Sequence, residues 1–359
     1  MKSVAIVGGG ASGIFCALQI LEKIPSAKIT IFEKNGVLKT ILPTGGGRCN
    51  LSHEIYNARD LVEFYPRGGK ELISIFSKFG IGDTLDYFSN IGIDTYTDNE
   101  GRIYPTTNSS KTVREKMFEQ IKKHHNLKII YKEIKSIKEL DNFDIKVISG
   151  GSKGVYDLIS DTKHSLTELR SALCGYITDK KHKAGVSINV DGEPLLFTHQ
   201  GVSGPYIFKL SSLWAYKEFP FDLSIEIINK EDLRNELGKN PKQEFGTILG
   251  KFIPKSLVGE ILEENLRHIK CANVSKKMID DVCILNFKVL DVDKKGETVK
   301  AGGIPLNELT PNLESKFHEN LFFTGEILNV DGFCGGFNLQ FAWSSGAIVA
   351  FEIIKKLTN

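Results

Sequence analysis

The stretch that decides the fold is KSVAIVGGGASGIFCALQILEKIPSAKITIFEK, residues 2 to 34. Lys2 to Val7 is a short apolar run of good β-formers. Gly8, Gly10 and Gly13 follow at once as a G-x-G-x-x-G. Ile14, Ala17, Leu18 and Leu21 then recur at helical spacing. A second apolar run, Lys28 to Phe32, ends in Glu33. Strand, glycine turn, helix, strand and acid stand in the order that a dinucleotide site requires.

Each part has a physical task. Gly8 lets the chain turn tightly out of the strand. Gly10 carries no side chain, so backbone can approach a pyrophosphate. Gly13 lets the helix pack closely on the sheet. Ala11 and Ser12 lie in the first helical turn, where unpaired N–H groups and the positive end of the helix dipole face the phosphates. Glu33 lies about twenty residues past the last glycine, where an acid accepts hydrogen bonds from a ribose, and Lys34 belongs to the same set. The acid favours an unphosphorylated adenosine ribose, as in NAD or FAD.

The chain has 359 residues, 41% hydrophobic and 25% charged, with a net charge of +2. This length supports more than one core. The near-neutral charge gives no reason to expect nucleic acid or an anionic membrane as partner. The first strand begins at the N-terminus, which leaves no room for a signal peptide, and no uninterrupted apolar run suits a bilayer. Cys16, Cys49, Cys174, Cys271, Cys283 and Cys334 form no C-x-x-C. A metal site is not expected, and reduced thiols in a cytoplasm are.

The second unusual element is TGGGRCN, Thr44 to Asn50. Residue chemistry leaves two readings open here. One is a flexible surface loop. The other is a wall of bare backbone beside a flat ligand, with Arg48 near negative charge. TGGGRCN after a GGGASG start resembles the BaiN/YhiN-type flavoproteins, called NAD(P)/FAD-dependent oxidoreductases, a family that also holds enzymes described as aminoacetone oxidases. The resemblance implies that Gly46, Gly47, Arg48, Cys49 and Asn50 lie near an isoalloxazine ring. Cys49 is read as a packed thiol, because no second cysteine lies nearby in sequence to resolve a disulfide. The resemblance also implies a backbone contact to adenine at Ile134. It gives a cofactor role to Gly151, in a glycine pair whose following loop is short here.

Residues 57 to 92 look helical with a break at Gly80 to Asp83. TDNEGRIYP within 93–105 signals a hairpin. From Tyr156 the pattern becomes short β-runs. LLFTHQGVSGP, Leu195 to Pro205, places His199 at a strand end; a loop-fixing hydrogen bonder is the favoured reading there, and His199 is at the same time the one candidate acid/base group. Residues about 229–285 read as a helical cluster. FKVLDV, a DKKG turn and ETVKAGG read as a hairpin. Then comes TGEILNVDGFCGGFNLQFAWSSG. The resemblance places Gly325 and Glu326 at the ribityl–pyrophosphate end. Gly336, Phe337 and Asn338 open a closing helix whose N–H groups suit the negative side of a reduced flavin.

The expected architecture is α/β, a Rossmann-like FAD domain of glutathione-reductase type built from 1–157 and 302–359. A β-barrel-like insert, 158–301, with a small helical subdomain interrupts it. The expected activity is FAD-dependent hydride transfer with a small-molecule substrate, with NAD(P)H left open as second redox partner. A tRNA-modifying flavoprotein and a non-catalytic flavin-binding redox sensor are the alternatives. The substrate and the oligomeric state are not legible.

Overall fold

A computed structural model describes residues 2–151, 153–293 and 299–358. The chain divides into two compact units, Met1–Arg170 with Lys300–Asn359, and Ser171–Val299. The pattern of the sequence had set these junctions near 157 and 301.

The first unit is built on a five-stranded sheet. Its spatial order is Leu321–Phe323, Ile145–Ile148, Ser3–Val7, Lys28–Glu33, Leu127–Tyr131. All four pairings are parallel. The central strand has Val4, Ala5, Ile6 and Val7 all buried, as a sheet covered on both faces requires. The helix Ala11–Lys23 is buried from Ala11 through Leu21. The closing helix Phe337–Thr358 packs on it so tightly that a Cβ at Gly346 would lie 2.7 Å from the Ser12 carbonyl oxygen. That helix is long and apolar enough to cross a membrane, but 72% of its apolar window is buried inside the protein. Its apolarity serves a core.

A small antiparallel sheet lies in the same unit, in the order Ser52–His53, Arg102–Pro105, Thr95–Thr97. It contains the hairpin expected at 93–105. Leu51 N–H donates to the Ile103 carbonyl at 2.9 Å, which ties the end of the TGGGRCN loop to this sheet.

The second unit carries a curled six-stranded antiparallel sheet. Its order is Ser187–Val190, Glu193–Phe197, Gly201–Ser203, Gly175–Thr178, Ile284–Asp293, Phe221–Glu226. In the last of these, Phe221, Leu223 and Ile225 face inward while Asp222, Ser224 and Glu226 face out. Five short helices lie between Lys230 and Cys283, and Leu233, Phe245, Ile248 and Leu257 form their shared core.

Three expectations need correction. Residues 57–92 form three helices, Ala58–Val62, Glu71–Lys78 and Ile81–Asn90. Besides the break at Gly80, residues 63–70, with Pro66 and with Gly68 and Gly69 at φ +116° and +59°, separate the first two helices. The strand Ile284–Asp293 forms no hairpin with Val299–Gly303, which pairs instead with Thr167–Ala172. The DKKG turn lies, from 294 on, outside the described residues. A short helix, Lys153–Leu158, follows the Gly150–Gly151 pair, where only a short loop was expected.

Candidate functional site

The first glycine turn is set by contact. A Cβ at Gly13 would lie 2.2 Å from the Gly8 carbonyl oxygen and 2.4 Å from Ser149 Oγ. One at Gly8, where φ is +107°, would meet Gly150 N at 2.9 Å. Ser149 Oγ reaches the Val7 and Gly8 carbonyls at 2.9 Å each, locking the turn to the end of the neighbouring strand. Gly10 is the helix N-cap, and no side chain caps the helix. The space over Gly10 is open, with Thr40 Oγ1 the nearest atom at 3.7 Å from a built Cβ. Uncapped N–H groups beside open backbone are what a phosphate needs.

Glu33 lies at the mouth of this turn. Its Oε2 accepts from Gly9 N–H at 2.7 Å and its Oε1 from Asn35 N–H at 2.6 Å. A carboxylate has further acceptor positions, so these bonds orient it and leave lone pairs for a ribose. Lys34 pairs with Glu133 at 2.9 Å, next to the buried Ile134. Gly325 adjoins the first helix, where its Cβ would lie 2.3 Å from Ser12 Oγ. Glu326 lies against Gly151, whose Cβ would come 2.0 Å from Glu326 Oε2. Gly8, Gly10, Ala11, Ser12, Gly13, Glu33, Gly151, Gly325 and Glu326 thus form one neighbourhood.

The TGGGRCN loop is a tight turn. Gly45, Gly46 and Gly47 have φ of +58°, +66° and +88°, which glycine adopts without strain. No atom lies within 4 Å of a Cβ built on Gly46, so this backbone faces open space. Arg48 is exposed, with its guanidinium 4.2 Å over the Tyr104 ring. Cys49 is fully buried, and burial pushes its thiol up to about 12 against an opposing bond from Thr44. It is a packed, unreactive thiol at neutral pH. Asn50 is buried as well, and its Oδ1 has no hydrogen-bond partner among the described residues.

The start of the closing helix meets this loop. At Gly336, φ is +95°, and a Cβ there would lie 2.7 Å from Asn50 Oδ1 and 2.4 Å from the Ser52 carbonyl. Phe337 is buried. Its ring stacks on His53 at 4.7 Å and on Phe64 at 4.8 Å, so only its backbone can face a ligand. Both amide atoms of Asn338 bind the Gly332 backbone, at 2.8 and 2.9 Å. The helix carries no acid in its first turn.

The two neighbourhoods lie along one helix. Its first residues meet Asn50, and Ser345 accepts from Gly325 N–H at 3.1 Å. Eight residues of helix separate Phe337 from Ser345, about 12 Å. An extended ligand such as FAD, lying along this helix, would meet uncapped N–H groups at one end and, at the other, bare glycine backbone with an amide oxygen that is unpartnered among the described residues. The residues above would hold it.

His199 lies on an exposed bend of the second unit between Glu193–Phe197 and Gly201–Ser203. Thr198 Oγ1 fixes that bend by accepting from Gly201 N–H at 3.1 Å. The sequence reading missed His53, Tyr65 and Tyr104. Tyr65 donates to the Phe337 carbonyl at 2.7 Å, and His53 Nδ1 binds the Gly335 carbonyl at 3.0 Å. These partners are 272 and 282 residues apart, beyond the reach of local spacing.

Comparison with known proteins finds relatives along the whole chain. The chain is 28% identical to a 3-dehydro-bile acid delta(4,6)-reductase of Clostridium scindens, across 96% of this chain and 97% of that protein. It is 24% identical to a ribosomal RNA dihydrouridine synthase of Haemophilus influenzae, across 98% of each. Two solved structures share the fold at a TM-score of 0.50, each covering 100% of this chain. They are Escherichia coli quinol fumarate reductase FrdA, at 12% identity and 70% of its own length, and a flavocytochrome c3 fumarate reductase, at 10% and 79%. A family model described as the HI0933-like protein Rossmann domain matches residues 2–352. The chain thus belongs to the HI0933-like Rossmann domain family, the BaiN/YhiN-type flavoproteins of the FAD-type oxidoreductases.

Proposed function

We propose that the protein is a cytoplasmic, FAD-dependent reductase of carbon–carbon double bonds conjugated to a carbonyl, with a small-molecule substrate. The observation that carries the cofactor assignment is the meeting of Asn50 Oδ1 with Gly336 beside the bare Gly46 backbone. The reaction class is supported by the activities the relatives are named for. A delta(4,6)-reductase acting on a 3-dehydro-bile acid and a dihydrouridine synthase each saturate a double bond in conjugation with a carbonyl. Such a reduction adds hydride at the β-carbon and a proton at the α-carbon. Bound FAD would supply the hydride, and NADH or NADPH is proposed as the source of the two electrons and the proton. The chain's residues bind and orient FAD and hold the substrate's carbonyl. His199 is proposed as the proton manager.

A second reading, reduction of a base in RNA, is favoured by the dihydrouridine synthase names. The net charge of +2 favours the small molecule. The test is to reduce the bound flavin anaerobically and mix it with cyclohexenone or a 3-oxo-4-ene steroid. Reoxidation with formation of the saturated ketone supports the proposal. Tight, salt-sensitive retention of ribosomal RNA, without enone turnover, reverses the ranking. An unchanged rate in H199Q removes His199 from the scheme.

A further inference from the structure

We propose that Arg48, clamped by Tyr104, is a preformed site for a delocalised oxyanion on the glycine loop, with Tyr104 as the positioning residue. Three observations carry this. First, the guanidinium is fixed on two sides and by its face. Nε donates to the Gly45 carbonyl at 3.1 Å, Nη2 donates to the Tyr104 hydroxyl at 3.1 Å, and the plane lies over the Tyr104 ring at 4.2 Å. A side chain with this many rotamers is held so only where its position matters.

Second, Arg48 has no carboxylate partner among the described residues. The contrast lies two residues from Tyr104. Arg102 pairs with Asp98 at 2.8 Å and Glu100 at 2.7 Å, which uses both nearby acids. Arg48 is left as an exposed cation whose Nη1 has no acceptor among the described residues. Third, the neighbouring backbone at Gly46 is open, so a flat ligand can reach that fork. An arginine edge matches a planar, delocalised oxyanion better than a point charge does.

Two groups share this chemistry: the enolate oxygen that develops on an unsaturated ketone as its β-carbon takes hydride, and the carbonyl side of the flavin ring. The choice between them rests on the proposed reduction; the site itself does not. Tyr104 acts through Arg48, and its hydroxyl is buried beneath it.

The experiment uses FAD-loaded wild type, R48Q, Y104F and the double variant. The flavin midpoint potential is measured without substrate, and benzoate is titrated into the oxidised protein as the anionic ligand. We expect R48Q to weaken benzoate binding or the reduced state by roughly tenfold or more, and Y104F by about threefold. The double variant should equal R48Q, because Tyr104 has no separate effect to lose. A change in potential alone assigns the oxyanion to the cofactor, and a change in benzoate alone assigns it to the substrate; both support the site. A readout free of flavin is the Tyr104 ring titration in the apoprotein by NMR. Burial raises that phenol while the charges of Arg102 and Arg48 draw it down, so R48Q should raise it further. Folded R48Q and Y104F with wild-type potential and wild-type benzoate affinity overturn the proposal. If R48Q does not fold, R48K keeps the charge without the fork and should fall between. Lack of enone turnover alongside these shifts defeats the proposed reaction and leaves the site standing.

Discussion

His53 Nδ1 lies 3.0 Å from the carbonyl oxygen of Gly335, and this bond holds the turn into the closing helix. Nδ1 must carry the proton, because the carbonyl only accepts. The ring also stacks on Phe337. H53A should cost about 1–2 kcal/mol of stability, from one hydrogen bond and one aromatic contact. The pH dependence has a definite sign. Burial holds the imidazole below its ordinary range, against the opposing Gly335 bond. The unfolded chain takes up a proton first as pH falls. The contribution is therefore full above about pH 6.5 and is lost as pH drops through the lowered folded value. Melting temperatures from pH 5 to 8 should show a steeper acid decline for wild type than for H53Q.

Asn50 separates binding from folding. Its Oδ1 is buried without a partner among the described residues, which costs the apoprotein roughly 1–3 kcal/mol. If FAD satisfies that atom, N50A should leave apoprotein stability unchanged or higher and weaken FAD binding about tenfold. Thermal melts with and without FAD check both. Equal loss in the two states would make Asn50 purely structural.

Gly13 and Gly46 should fail differently. G13A places a Cβ 2.2 Å from the Gly8 carbonyl, against backbone that cannot give. It should destabilise the fold by about 3 kcal/mol, read as a shift in urea midpoint. G46A meets nothing within 4 Å, so only its φ of +66° costs, about 1–2 kcal/mol. Its larger effect should be on FAD affinity, because the new methyl enters the ligand's space.

Arg67 and Asp331 form a buried ion pair with bidentate contacts, Nε to Oδ1 and Nη2 to Oδ2, and Asp331 is fully buried. D331A strands the guanidinium and should cost about 3–5 kcal/mol. R67M/D331L should recover much of this, since it removes both charges. Urea unfolding of the three proteins decides; an additive double variant would contradict the pairing.

Much of the first glycine turn was legible because its signal is local. Residues 2–34 hold strand, turn, helix, strand and acid in one run, and the contacts inside that run, Gly13 against the Gly8 carbonyl and Gly9 N–H to Glu33, follow from that spacing. The junction of Asn50 with Gly336 joins residues far apart in the chain, and only the resemblance linked the two loops in advance. His53, Tyr65 and Tyr104 escaped notice for the same reason. Each is a common residue whose partner is set by packing. The failed hairpin after Ile284 has a related cause. A strand's turn signal does not say which neighbour has an open edge, and Thr167–Ala172 supplied one.

The central claim is that the unit made of Met1–Arg170 and Lys300–Asn359 holds one FAD. The most direct measurement is calorimetric titration of FAD into the apoprotein of the full chain, followed by its visible spectrum. The account predicts one FAD per chain, a yellow complex, and binding lost in G336A, whose Cβ would occupy the Asn50–Ser52 junction. A colourless protein that takes up no FAD, or G336A binding as tightly as wild type, would contradict it.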